Sequence, residues 1–167
     1  GFGGENRVTT AWAEARDFPE YQARRTGNTR STFLRPVCNG PIEWRDFAAV
    51  RREIDTLKAA AEDAGAEEVF MSAASPGVVS IFMANEHYPS REAYLEAIAR
   101  VMKDEYEAIH EAGFVLQLDC PDLAMERPRF FQDLPLDRFL EMIDLHVAAL
   151  NRATVGIPPA AVRLHVC

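Results

Sequence analysis

The sequence predicts an α/β protein, specifically a partial (β/α)8 TIM barrel with about four parallel strands and intervening helices. Short apolar strands alternate with amphipathic helices, which is the pattern of βαβ units in a parallel sheet. The last two strands have one apolar face and one polar face, whereas strands of a doubly wound sheet are usually apolar throughout. Because barrels can turn polar side chains inward near the carboxyl ends of their strands, a barrel is preferred to a doubly wound sheet.

Composition narrows the class of protein further. The 167 residues are 48% hydrophobic and 26% charged, which indicates one globular domain with a real core. The net charge of -8 opposes binding to nucleic acid or to an anionic membrane. The sequence has no apolar run long enough to cross a bilayer and no signal-peptide pattern, and its three cysteines are far apart, so we expect a soluble, cytoplasmic protein.

The chain is predicted to have two parts. Residues 1–32 are polar and contain several glycines, which indicates a loop or capping segment with a short helix around residues 14–25. The partial barrel domain is assigned to residues 33–167. Its first unit has a strand near Phe33 to Cys38 and a helix from about residue 46 to 64, with Gly65 as its stop.

The second and third units follow the same pattern. The second has a strand near residues 68–73, a loop to Pro89, and a helix that is capped by Ser90 and ends at Gly113. The third has a strand at 114–118, a loop through residues 121–135, and a helix with these apolar side chains: Leu136, Phe139, Leu140, Ile143, Val147 and Leu150. The fourth strand is predicted at residues 162–167.

The fourth strand carries the most informative pair of residues, His165 and Cys167. Residues i and i+2 of a strand point to the same face, so an imidazole and a thiolate converge as two of the four ligands of a zinc ion must. Asp119 directly follows the third strand, and the pleat puts its side chain on the same polar face. A carboxylate there could bind an ammonium group, take a proton or support a metal ligand.

Other polar residues are weaker candidates. Ser75 follows the second strand and could hold a substrate carboxylate or phosphate, although turn formation explains it equally well. Cys120 should point away from Asp119 as a small buried residue. Asp122 is interpreted as a turn or cap residue, and His146 as a packing or capping residue within its helix.

The motifs together resemble a known family. The segment from Gly113 to Met125, with Gln-Leu-Asp-Cys-Pro-Asp at its centre, is followed some 40 residues later by Leu-His-Val-Cys at 164–167. These motifs resemble the cobalamin-independent methionine synthase family, and in particular its shorter branch that includes epoxyalkane:coenzyme M transferase-like proteins. Arg-Pro-Val-Cys-Asn-Gly-Pro-Ile at 35–42 and Asn-Glu-His-Tyr-Pro at 85–89 fit the same branch.

The resemblance implies a zinc-dependent methyl or alkyl transferase, as in methionine biosynthesis. It implies that His165 and Cys167 are zinc ligands and that Asp119 holds the amino group of a thiol such as homocysteine, with a methyl-folate or another alkyl donor as the second substrate. The family's other protein ligands, a Glu and a second Cys, come from later strands that are absent here. We therefore expect a fragment with an incomplete zinc site, inactive as a monomer.

Several alternatives remain open from the sequence. A half barrel has exposed strand edges, so we expect a homo-oligomer in which two halves close one barrel. A second reading is a non-catalytic, ligand-binding or structural half barrel in which His165 and Cys167 never meet metal. A third is a decarboxylase-like relative that works without metal through Asp119, although the His-x-Cys ending argues against it.

Overall fold

A computed structural model of the chain describes residues 1–10, 13–26 and 31–167. The strands in these residues are β1 (Phe2–Thr10), β2 (Ser31–Cys38), β3 (Phe70–Ala74), β4 (Ala84–Asn85), β5 (Val115–Asp119) and β6 (Val162–His165). The helices are α1 (Glu14–Asp17), α2 (Pro19–Thr26), α3 (Phe47–Ala64), α4 (Pro76–Phe82), α5 (Arg91–Glu111), α6 (Arg127–Phe130) and α7 (Leu136–Ala153). The predicted α/β class is confirmed.

Strands β3, β5 and β6 form a parallel sheet in chain order. Its register places Ala74 beside Asp119 and Asp119 beside His165. Helices separate the strands along the chain, as parallel strands require. The carboxyl ends of the three strands therefore meet at one edge of the sheet.

A second sheet has the order β1-β2-β4. The predicted first strand is β2, which runs parallel to β4 at Val37 and Cys38 and antiparallel to β1. Within the described residues, β2 therefore pairs with β1 and β4, and the parallel strands do not form one four-stranded sheet. The partner β4 comes from a segment, residues 75–89, for which the sequence predicted only loop.

The structure has a strand, β1, in the segment 1–32 where the sequence predicted a loop or cap. Its polar and glycine-rich sequence shows no strand periodicity, because pairing with β2 needs only backbone hydrogen bonds. The register shifts between Gly3 and Asn6, and Gly4 has a φ of 63°, as expected of a glycine in a β-bulge. Strand β1 thus ties the N-terminal segment to the remainder of the fold.

The ends of the long helices follow their predicted signals. Gly65 adopts the left-handed conformation after α3, and the Ser90 hydroxyl accepts a hydrogen bond from the Ala93 N–H at the start of α5. The additional helix α4 begins in the same way, with Ser75 as N-cap and Pro76 in its first turn. No helix in the described part of the chain is long and apolar enough to cross a bilayer.

The main core lies between the parallel sheet and helices α5 and α7. Leu116 and Leu118 of β5 are buried there with Tyr106 and Ile109 of α5. The buried side of α7 is formed by Phe139, Met142, His146, Ala149, Leu150 and Ala153. Three of the apolar residues that the sequence places along this helix are exposed: Leu136, Leu140 and Val147. Helix α7 is apolar over more than one face, so periodicity alone did not identify the packed one.

Candidate functional site

Asp119, His165 and Cys167 form a triad at the carboxyl edge of the parallel sheet. Their ligand atoms all lie within 4.8 Å of one another. The His165 Nε2 atom is 3.1 Å from Cys167 Sγ and 3.9 Å from Asp119 Oδ1. The structure therefore brings together the three residues that the sequence assigned to one polar face.

The backbone fixes two members of the triad. Asp119 and His165 are register partners in adjacent strands. The Asp119 carbonyl accepts a hydrogen bond from the Ser75 N–H (3.0 Å), and the His165 carbonyl accepts one from the Cys120 N–H (2.9 Å). The hydrogen-bond ladder thus reaches the triad itself, whereas Cys167 lies two residues beyond β6.

The triad offers a donor set that suits a metal ion. It combines a ring nitrogen, a thiol sulfur and a carboxylate oxygen, and zinc binds all three types of atom. In a tetrahedral zinc site, ordinary bond lengths separate neighbouring donor atoms by about 3.4–3.6 Å. The observed separations of 3.1 and 3.9 Å lie on either side of this range, so small side-chain movements would bring the donors to it.

A row of polar side chains lies on the same face of the sheet, two residues before Asp119 and His165 along their strands. It consists of Ser72, Gln117 and Arg163. Gln117 Nε2 donates to Ser72 Oγ (2.9 Å), and Arg163 Nε donates to Gln117 Oε1 (2.8 Å). The Arg163 guanidinium also lies 3.7 Å from the centre of the Phe70 ring. Each of the three strands therefore has a polar side chain on the face opposite the helices, and on β3 this face also carries Phe70.

Ser75, predicted to bind substrate, lies in the protein interior rather than in the triad. Its side chain is buried, caps α4 by accepting the Val78 N–H, and donates to Asp122 Oδ1 at 2.5 Å. The Ser75 hydroxyl therefore both donates and accepts a hydrogen bond within the protein. Ser75 contributes to the triad through its backbone N–H, which binds the Asp119 carbonyl.

Asp122 and His146 form a buried polar pair that the sequence did not predict. His146 Nδ1 lies 2.9 Å from Asp122 Oδ2, and Arg91 Nη2 lies 2.8 Å from His146 Nε2. Because a guanidinium only donates, Nε2 must accept, and the neutral ring then carries its proton on Nδ1 and donates it to the carboxylate. One signal was present in the sequence: His146 lies on the same helix face as Met142 and Leu150.

Cys120 is buried beside this network, as the sequence predicted. Burial, reinforced by the charge of Asp122, raises the pKa of the Cys120 thiol to about 12. A thiol with such a pKa stays protonated at neutral pH and is a poor nucleophile. Cys167, by contrast, is exposed.

The comparison with models of known protein families gave no match, and neither did the comparison with curated proteins.

Proposed function

We propose that this chain is part of a zinc-dependent methyl or alkyl transferase that acts on a small thiol. One observation carries the proposal: the carboxylate of Asp119, the imidazole of His165 and the thiol of Cys167 converge at the carboxyl ends of adjacent parallel strands. That edge is where (β/α)8 barrels have their active sites. A partial barrel of the cobalamin-independent methionine synthase type is the fold that this proposal implies.

His165 and Cys167 would hold the ion in this proposal. Bound zinc stabilises a thiolate at neutral pH, which is the form of a thiol that attacks an alkyl donor. Asp119 faces the same space and can bind the ammonium group of an amino-thiol such as homocysteine, or serve as a third ligand. Its carboxylate is half exposed and is therefore accessible to a substrate ammonium group or to an ion.

Three further points belong to the same proposal. The alkyl donor is a methyl-folate or a chemically similar compound, and the reaction takes place in the cytoplasm, where the free thiols of the structure are maintained. Zinc sites use about four ligands, so the substrate thiol or a second copy of the chain supplies the remainder. Association of two copies would supply such ligands and close the half barrel.

The test is the zinc content of gel-filtered protein, measured by elemental analysis. Near-stoichiometric zinc is expected in the parent chain and little in His165→Ala or Cys167→Ala. The matched control is His87→Ala, which removes an exposed histidine outside the triad and should leave the zinc content unchanged. Zinc that is absent from the parent protein, or retained in both triad variants, would refute the proposal.

A second candidate function is a structural or ligand-binding half barrel without metal. The exposure of the triad favours it, because the side chains of His165 and Asp119 are 53% and 49% exposed. Metal sites are usually enclosed by supporting contacts that orient their ligands. Zinc-free protein that keeps the same thermal stability after addition of zinc would support this candidate over the transferase.

A further inference from the structure

A cavity of about 400 Å³ lies apart from the triad. It is partly open to solvent and is lined by residues of α4, β4, the first turn of α5 and the end of α6. Its walls include the following side chains: Ser80, Asn85, Arg91, Tyr94, Phe130 and Phe131. The volume falls within the range of small-molecule sites, which are mostly apolar with few polar groups.

Arg91 is the one charged residue among the described residues that line this cavity. One of its terminal nitrogens binds His146, but its Nε atom is buried with no hydrogen-bond partner. None of the ion pairs in residues 1–10, 13–26 and 31–167 involves Arg91. A guanidinium has five N–H donors, so donors remain for a ligand.

The other polar groups of the cavity are already used. The Tyr94 hydroxyl donates to the Met83 carbonyl (2.7 Å), and the Ser80 hydroxyl donates to the Gly77 carbonyl (2.7 Å). The Asn85 side chain donates to the Tyr88 carbonyl and accepts the Tyr88 N–H. Arg91 is therefore the group with which a ligand would form its polar contact.

The charge of Arg91 lacks a direct counterion. Burial lowers the pKa of Arg91, and the charges of Glu92 and Asp122, neither of which forms an ion pair with it, offset this only in part. Asp122 is separated from Arg91 by the neutral ring of His146. Burial of a cation without a paired anion costs free energy, which an anion in the cavity would offset. The cavity thus favours one negative group beside Arg91.

The aromatic side chains of the cavity wall favour an apolar group in the remainder of the ligand. Phe130 packs edge-on against Phe82 and Phe131, with ring centres 6.0 and 6.4 Å apart. The guanidinium groups of Arg35 and Arg129 also lie over Phe130, 4.5 and 4.9 Å from its centre. A wall held on several sides in this way offers a fixed apolar surface to a planar or aliphatic group.

We propose that this cavity binds a small organic acid, with its carboxylate on Arg91 and its apolar part against Phe130 and Phe131. This site goes beyond the proposed transferase function, because it uses none of the three triad residues. The lining residues come from connections that follow β3 and β5, so the site is on the carboxyl side of the same sheet.

The test is isothermal titration of the full chain with sodium benzoate. Saturable binding at one site is expected. Benzamide has the same shape without the charge, so it should bind about 10- to 100-fold more weakly, as expected for loss of a charge-assisted hydrogen bond. Arg91→Met should weaken benzoate binding by a similar factor, and Arg138→Met, which removes an exposed arginine, should not change it.

A second variant keeps the proposal testable if Arg91→Met does not fold. Ala84→Leu adds a larger side chain to the cavity wall and leaves the contact between Arg91 and His146 in place. Its expected result is loss of benzoate binding in a folded protein. The proposal is overturned if the parent binds no benzoate, if benzamide binds equally well, or if folded Ala84→Leu binds benzoate as the parent does.

Discussion

Asp122 and His146 are joined by a hydrogen bond of 2.9 Å in the protein interior, where each side chain is only 1% exposed. Asp122 lies in the 3₁₀ turn Pro121–Leu123, immediately after β5, and His146 lies in the middle of α7. The pair therefore links the connection beside the triad to a core helix. A buried carboxylate must keep its partners, because no water replaces them.

Asp122→Ala should lower the free energy of unfolding by about 3–5 kcal/mol, since it leaves Ser75 and His146 without their acceptor. Urea denaturation measures the change. The control is Asp144→Ala, at an exposed position of helix α7, and its free energy of unfolding should stay within about 0.5 kcal/mol of that of the parent. Equal stability of the two variants would contradict the assigned role of Asp122.

Gly77→Ala should destabilise the fold by about 1–3 kcal/mol through overpacking. A Cβ atom at this position would overlap the Asp122 carboxylate and lie 2.5 Å from His146 Nδ1. Gly40→Ala is the matched control, because the nearest atom to its Cβ would be 3.7 Å away. Thermal unfolding compares the two, and an unchanged melting temperature for Gly77→Ala would show that the polar pair tolerates displacement.

Glu126 should make the fold less stable as the pH rises. Its side chain is 1% exposed and its Oε2 atom has no hydrogen-bond partner, while Arg129 lies 3.9 Å from Oε1. Burial raises the pKa of Glu126, and the nearby arginines offset this only in part. The folded state therefore binds the proton more tightly, and the free energy of unfolding falls as the pH rises from the ordinary pKa through the raised one.

The isosteric variant Glu126→Gln cannot ionise and should lack this loss. Its stability relative to the parent should therefore be greater at about pH 8 than at about pH 4. Urea denaturation at both pH values gives the comparison, with the exposed Glu62→Gln as control. A difference between Glu126→Gln and parent that does not change with pH would refute the assignment.

Cys167 should be the first thiol to react with iodoacetamide in the native protein. It is exposed, whereas Cys38 and Cys120 are buried and the pKa of Cys120 is raised to about 12. Intact-mass spectrometry at about pH 8 should show one rapid addition, lost in Cys167→Ser, and three additions after denaturation. Rapid native modification of Cys120 would contradict its burial.

Association of the chain should depend on the outer edge of β6. Within the described residues β6 pairs only with β5, and Leu164 beside that edge is 55% exposed. Light scattering should show a mass above that of a monomer, reduced in Leu164→Lys. Leu136→Lys changes an equally exposed leucine on α7 and serves as the control. A clean monomer at high protein concentration would rule out the proposed homo-oligomer.

The sequence predicted those parts of the fold that have periodic patterns and local signals. The strand β5, the cap at Ser90 and the stop at Gly65 each have such a signal, and the structure confirms them. Strand β1 has none, because its structure depends on backbone pairing with a distant segment. Helix α4 was missed although Ser75 and Pro76 form a typical helix start, because turn formation explains the same residues.

In the candidate site, too, only the residues that belong to a periodic pattern could be predicted from the sequence. Alternation along β5 and β6 was sufficient to place Asp119, His165 and Cys167 on one face, and the structure brings them together. The network of Asp122, His146 and Arg91 joins three segments far apart in the chain. No local pattern encodes such long-range contacts, so Asp122 was interpreted as a turn or cap residue and His146 as a capping or packing residue, and Arg91 was not identified.

The row of Ser72, Gln117 and Arg163 has a consequence for how the strands align during folding. Its two hydrogen bonds satisfy both ends of the Gln117 amide, and they form only when the three residues stand side by side. A shift of either outer strand by two residues would preserve the polar face but break one of these bonds. Gln117 therefore favours one register of the three strands, and in that register Asp119 lies beside His165.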